Sequence, residues 1–302
     1  MAEVTIIDVS PRDGFQNDPK FITTKNKATL VKMLIEAGIQ KVEVTSFVHP
    51  KKVPQMADAN EVLKAVSTFS NLEAIALVPN LKGYERARVH ELNEINWVSS
   101  ATETFNQKNI GISIEDNLNQ FKTLVDLARK DGVKTCFSIA VSFGCPYEGD
   151  VSDEQVLTLV KRVKAVGADR VGIADTIGIA TPDQVERLMK KVLQVAGDIP
   201  VAIHLHDTRG LGSANAYAAY RSGIRIFETA VSGIGGCPFA PGAAGNLATE
   251  DLVYLFERMD IRTEVDFEKL LDAADYAASL STKNPLGRIR HVERKHEKGN
   301  VK

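Results

Sequence analysis

The chain is 302 residues long and carries 37 Lys+Arg against 39 Asp+Glu, a formal net charge of −2. With 44% hydrophobic and 25% charged residues it lies near the globular average, which excludes a collagen, a disordered tail and a nucleic-acid-binding module driven by bulk positive charge. Length alone suggests roughly two domains, but a single α/β barrel of about 250 residues is an allowed exception.

Short runs rich in β-branched residues recur along the chain, each followed by turn residues and a segment of helical periodicity. Strands are predicted at 4–9, 41–46, 72–78, 95–99, 133–141, 170–174, 200–206 and 225–230, with helices at 25–37, 54–66, 82–90, 114–130, 153–166, 182–195, 211–222 and 248–259. Thr24, Ser152 and Thr181 stand at N-cap positions, Pro182 at a first helical position, and Gly38, Gly132, Gly167 and Gly223 at helix stops. Eight βα units predict an α/β fold, a (β/α)8 TIM barrel, with an extra C-terminal helix at 267–281 and a basic tail at 288–302. One catalytic domain is expected over 1–281, followed by a tail over 282–302 that is frayed and solvated.

Three cysteines, Cys136, Cys145 and Cys237, cannot close a disulfide framework, so a reducing, cytoplasmic setting is expected. The opening MAEVTIIDVSPRDG lacks a basic segment followed by an apolar one, and no run of about 18 apolar residues occurs, so neither secretion nor a membrane span is expected.

A TIM barrel gathers its chemistry at the C-terminal ends of its strands, and polar residues cluster there in this sequence. In VAIHLHD, strand alternation puts His204 and His206 on one face, about 6.6 Å apart at Cα and directed into the barrel mouth. They suit two ligands of one divalent ion, although a pair of hydrogen-bonded structural histidines fits the same spacing. Asp13, after the first strand, adds a hard oxygen and Asn246 an amide oxygen. Two nitrogens and two oxygens with open positions favour Mg²⁺ or Mn²⁺, with Asp175 and Asp207 expected to orient the histidines.

Glu43, in KVEVTSF, is predicted to point into the barrel and to need a cation, for which Arg12 is the nearest candidate; the pair is either catalytic or structural. Cys237 lies in SGIGGCPFAPGAAGN, a Gly- and Pro-rich loop on the active face, where a chemical role is more expected than for a buried inert cysteine. Cys136 reads as core and Cys145 stays open. Any phosphorylated ligand of this acidic chain must meet local positive charge, for which Lys108, Lys283, Arg288 and Arg290 are candidates, with a solvated face as the ordinary reading of each.

The segments PRDGFQN, VEVTSFVHPKKVPQMAD, NQKNIGISIED, FGCPYEG, ADTIG, HLHDTRG and GGCPFAPGAAGNLATEDLVY resemble, in order, those of the 3-hydroxy-3-methylglutaryl-CoA (HMG-CoA) lyases of the DRE-TIM metallolyase superfamily. The resemblance implies a carbon–carbon lyase of leucine catabolism and ketone-body formation that cleaves HMG-CoA to acetyl-CoA and acetoacetate. It also implies a divalent metal on Asp13, His204, His206 and Asn246, with catalytic roles for Arg12, Asp13, Glu43, His204 and Cys237, the last as a loop-borne acid. An acyl-CoA partner is expected, with Lys108, Asn109 and Lys283 as its contacts and a homodimer as a candidate assembly; no nucleic acid or membrane is expected. Gly172 and Arg209 replace the serine and tyrosine frequent in the family, and bear on acyl-chain choice. A lyase for a longer branched 3-hydroxy-3-alkylglutaryl-CoA is therefore the alternative. A Claisen condensation synthase of the same superfamily is disfavoured by Cys237 and by chain length, and a non-enzymatic scaffold by the clustering of metal set, acid and oxyanion partner on one face.

Overall fold

Along eight short strands, large apolar residues alternate with small, polar or charged ones, and this period of two builds a barrel with two different faces. The computed structural model describes residues 3–236, 245–282 and 287–297. Strands β1 (Thr5–Asp8), β2 (Lys41–Ser46), β3 (Glu73–Leu77), β4 (Glu94–Ser100), β5 (Lys134–Ala140), β6 (Arg170–Asp175), β7 (Val201–Leu205) and β8 (Ile226–Thr229) form a closed barrel in chain order, and every pairing is parallel. The helices are α1 (Thr24–Glu36), α2 (Ala59–Val66), α3 (Leu81–Ala87), α4 (Glu103–Asn109), α5 (Ile114–Asp131), α6 (Asp153–Val166), α7 (Pro182–Ala196), α8 (Gly212–Arg221), α9 (Thr249–Arg258), α10 (Phe267–Leu280) and α11 (Arg288–Glu297). This is the expected (β/α)8 architecture.

The main apolar core lies between sheet and helices. Val42, Val44, Ile95, Trp97, Phe137, Ile139, Val171, Ile173, Ile203 and Phe227 are all buried in it, and Phe121 of α5 packs edge-on to Phe137 at 4.8 Å between ring centroids. Local capping ends the helices: Ser152 and Gln155 make a reciprocal capping box on α6, while Gly132 (φ 72°) and Gly167 (φ 90°) close α5 and α6 in the left-handed conformation. The cap of α1 is Thr23, not Thr24, because the Thr23 hydroxyl accepts from the Asn26 amide at 3.3 Å.

Two elements depart from expectation. Helix α4 fills what reads in sequence as loop. The start of the expected frayed tail is helix α11, whose first amides, Arg288 and Ile289, donate to the two oxygens of Asp251 at 3.1 and 2.9 Å. A carboxylate from α9 thus supplies the missing cap.

The seam where β1 meets β8 is stitched by one buried side chain. Asp8 Oδ2 accepts from Val231 N (3.1 Å) and from the Thr249 hydroxyl (2.8 Å), and its Oδ1 from Ser10 N (2.8 Å). Among the described residues, no helix is long and apolar enough to cross a membrane.

Candidate active site and metal centre

Immediately after β1 the chain makes a tight π-helical turn, Ser10–Gly14, in which the Val9 carbonyl accepts from the amides of Arg12, Asp13 and Gly14. The turn sets two successive side chains into the barrel mouth: Arg12 Nη1 donates to Asp13 Oδ1 at 2.5 Å and Arg12 Nε donates to Glu43 in the middle of β2. Gly14 is needed there, since a Cβ would meet Ile234 Cδ1 at 2.7 Å. Glu43 also accepts from Asn96 Nδ2 (2.9 Å), and Asn96 in turn accepts from Ser138 Oγ (2.8 Å), so β1, β2, β4 and β5 share one hydrogen-bonded chain.

On the opposite side, His204 and His206 bring their Nε2 atoms to 3.1 Å from one another. His204 Nδ1 faces Glu228 Oε2 at 3.2 Å, its register partner on β8. His206 and Asn246 form an isolated antiparallel bridge, and Asn246 Nδ2 donates to Asp13 Oδ2 at 2.8 Å. Gly235, at φ 121°, permits this approach, because a Cβ there would stand 2.5 Å from Asn246 Nδ2.

Ligand atoms of Asp13, His204 and His206 therefore lie within 4.8 Å of one another. Asn246 Oδ1 and His206 Nδ1 are buried with no hydrogen-bond partner among the described residues, an arrangement that costs stability unless a ligand satisfies it. Asp13 and Glu43 pair with Arg12, Glu94 and Glu228 pair with Arg170, and Glu228 also faces His204, which it raises against the pull of burial. Burial alone raises the Asp13 carboxyl, but Arg12, with His204 and the Asn246 hydrogen bond, outweighs it and holds Asp13 well below the usual carboxylate range, ready as a ligand. Burial, reinforced by His204, drives His206 down to about 3, so that imidazole is neutral. Burial also pushes Glu43 up, against the pull of Arg12. The residues present fit a divalent metal.

Above this floor lies a cavity of about 210 Å³, with Arg12, Asp13, Asn96, His204, His206 and Glu228 among its polar lining and Val48, Leu77, Val98, Phe105 and Ile110 on its apolar walls.

The model of the HMGL-like family matches residues 3–276. The chain belongs to the HMGL-like family. A hydroxymethylglutaryl-CoA lyase of Bacillus subtilis is 43% identical over 91% of this chain and 92% of its own length. An (R)-citramalyl-CoA lyase of Chloroflexus aurantiacus is 39% identical over 92% and 91%. The structure of an HMG-CoA lyase from Acinetobacter baumannii, in complex with coenzyme A and 3-methylmalate, superposes with a TM-score of 0.91 at 36% identity, covering 95% of this chain and 94% of that one.

Within this HMGL-like barrel the structure brings together Arg12, Asp13, Glu43, His204, His206 and Asn246. Asn109 lines the cavity, and Lys108, beside it on α4, lies over the Tyr147 ring at 5.0 Å. Cys237 and Lys283 lie outside the described residues. Arg288 and Arg290 pair with Asp207 (2.6 Å) and Asp275 (2.7 Å). Cys136 is buried as expected, and Cys145 is buried too, accepting from the Thr102 hydroxyl at 3.1 Å.

The expected support of the histidines by Asp175 and Asp207 is corrected. Asp175 accepts from the amides of Ile179 and Ala180 and is pushed by burial up to about 6, while Asp207 caps α8 through Gly212 N. Glu228 takes that role. Its signal in the sequence is a lone acid on the inward parity of IFET, a position that would otherwise bury an unpaired charge.

Proposed function

We propose that this chain cleaves 3-hydroxy-3-methylglutaryl-CoA to acetyl-CoA and acetoacetate in a retro-Claisen reaction assisted by a divalent cation, Mg²⁺ or Mn²⁺ on the hard donor set. The observation that carries the reading is the meeting, at one barrel mouth, of Asp13, His204, His206 and the unpartnered Asn246 Oδ1 with the Arg12–Glu43 pair, in a chain 43% identical to a named HMG-CoA lyase. Asp13, His204, His206 and Asn246 would hold the cation, which when bound polarises substrate oxygens and makes a hydroxyl more acidic.

The rest falls to the chain's own residues. The Asp13–Arg12–Glu43 cluster, in which Asp13 lines the cavity and Glu43 stands behind Arg12 with its carboxyl raised by burial, accepts the proton of the tertiary hydroxyl as the bond between the carbinol carbon and the thioester's α-carbon breaks. The electron pair released forms the thioester enolate, and Arg12, permanently charged and lining the cavity, donates to its oxyanion. By the family resemblance, Cys237 protonates the enolate carbon. Buried apolar walls exclude water from that carbanion equivalent. Asn109, which lines the cavity, Lys108 beside it and Lys283 would contact the acyl-CoA chain and its phosphates.

Mass spectrometry of a reaction with HMG-CoA and Mn²⁺ tests this: acetyl-CoA and acetoacetate must appear and must vanish with EDTA. The citramalyl-CoA lyase relative at 39% identity supports a second reading, in which the substrate keeps the tertiary hydroxyl β to the thioester but is one carbon shorter on the side of the free carboxylate. A higher kcat/KM for citramalyl-CoA than for HMG-CoA would decide for it.

A further inference from the structure

Beneath the metal set a second polar chain crosses the barrel interior. Arg170, at the start of β6, reaches two strands in each direction. Toward β4 its Nη2 and Nε donate to Glu94 at 2.5 and 3.2 Å, and toward β8 its Nη1 donates to Glu228 Oε1 at 2.8 Å. The other oxygen of Glu228 faces His204 Nδ1 at 3.2 Å.

Such an assembly is a poor way to stabilise a barrel. TIM-barrel interiors are ordinarily filled by layers of branched apolar side chains. Desolvating charges can cost as much as their attraction returns, so an apolar layer of equal volume would serve stability as well. What the charges do provide is direction. Arg170 cannot give up its proton, and Glu228 therefore remains an ionised acceptor held at fixed geometry. An ionised acceptor on Nδ1 requires the His204 proton to sit there, which turns the Nε2 lone pair toward Asp13 and His206.

We propose that Glu94 and Arg170 are remote positioning residues, a buried relay that holds Glu228 against His204 and thereby fixes the tautomer and ring orientation of a metal-ligating imidazole. The inference rests on the metal reading above and extends it to two residues that touch neither substrate nor cation.

The test uses the full chain with Mn²⁺ alone. In Arg170→Met the Mn²⁺ Kd, measured by electron paramagnetic resonance of the free ion, should rise about 10-fold or more, the usual cost of losing an outer partner of a ligand. Arg170→Lys should recover part of the loss. Nitrogen-15 imidazole spectra of the metal-free protein should show His204 protonated on Nδ1 in the parent chain and a mixture of tautomers in Arg170→Met. Should Arg170→Met fail to fold by circular dichroism, Glu94→Gln carries the same two measurements with both charges around Glu228 retained and a smaller rise in Kd expected. Unchanged Kd and unchanged nitrogen shifts in a folded variant overturn the relay. A parent chain that binds no Mn²⁺ overturns the metal reading instead, and the nitrogen shifts still decide the relay.

Discussion

The two faces of the same strands contrast more sharply than any two elements of the fold. On β4, β5 and β6 the outward residues Ile95, Trp97, Phe137, Ile139, Val171 and Ile173 are apolar and fully buried against helices. Their inward neighbours Glu94, Asn96, Cys136, Ser138, Arg170 and Gly172 are charged, polar or small. One residue of offset separates a layer that contributes free energy by excluding water from a layer that spends part of it to hold charges in place. Stability and chemistry are thereby assigned to opposite parities of one sheet, and substitutions on the two faces should fail in different ways.

The largest effect is expected at the ligand set. His206→Ala should abolish Mn²⁺ binding in a titration and, with it, metal-dependent turnover, while the melting temperature of the metal-free protein stays near that of the parent. Next comes Glu43→Gln, also inward. It should lower kcat by about 10²- to 10⁴-fold, the span of general acid–base contributions, and leave the Mn²⁺ Kd unchanged. A matching loss of metal affinity would show that Glu43 serves the metal site rather than the proton.

The outward face should respond oppositely. Phe137→Ala removes a ring that packs on Phe121 and should cost about 3–5 kcal/mol in denaturant unfolding, with kcat per folded molecule preserved. A slower folded enzyme would break the division between the faces.

The smallest effect concerns Glu250, buried at the start of α9, where its carboxyl accepts from Ser232 N at 2.9 and 3.1 Å. Burial pushes it up to about 8, above its unfolded value near 4.5. Its stabilising protonated state is fully present below pH 4.5 and lost as pH rises through 8. Between pH 6 and 9 the parent chain should lose about 3 kcal/mol that Glu250→Gln, uncharged throughout, keeps. Parallel pH–stability curves for the two proteins would remove that assignment.

How much of this was legible in the sequence follows the same parity. The bounds of β2 and α6 agree with expectation, because alternation and a capping box are local signals. The inward direction of His204, His206 and Glu43 also follows from a period of two. The partners of Arg170 were not readable, since they sit 76 and 58 residues away and a charged residue in a strand reads locally as solvent-facing. Helix α4, seven residues long, has too few turns to show a period, and α11 is capped by a carboxylate from a distant helix.

The Asp8 stitch has a consequence for how the chain reaches this state. It joins residues separated by 223 and 241 positions, so the two terminal strands meet only after nearly the whole chain has been threaded into place. Until they meet, β1 and β8 each offer an open row of amides and carbonyls to any other chain, and crowded refolding should lose material at this seam first.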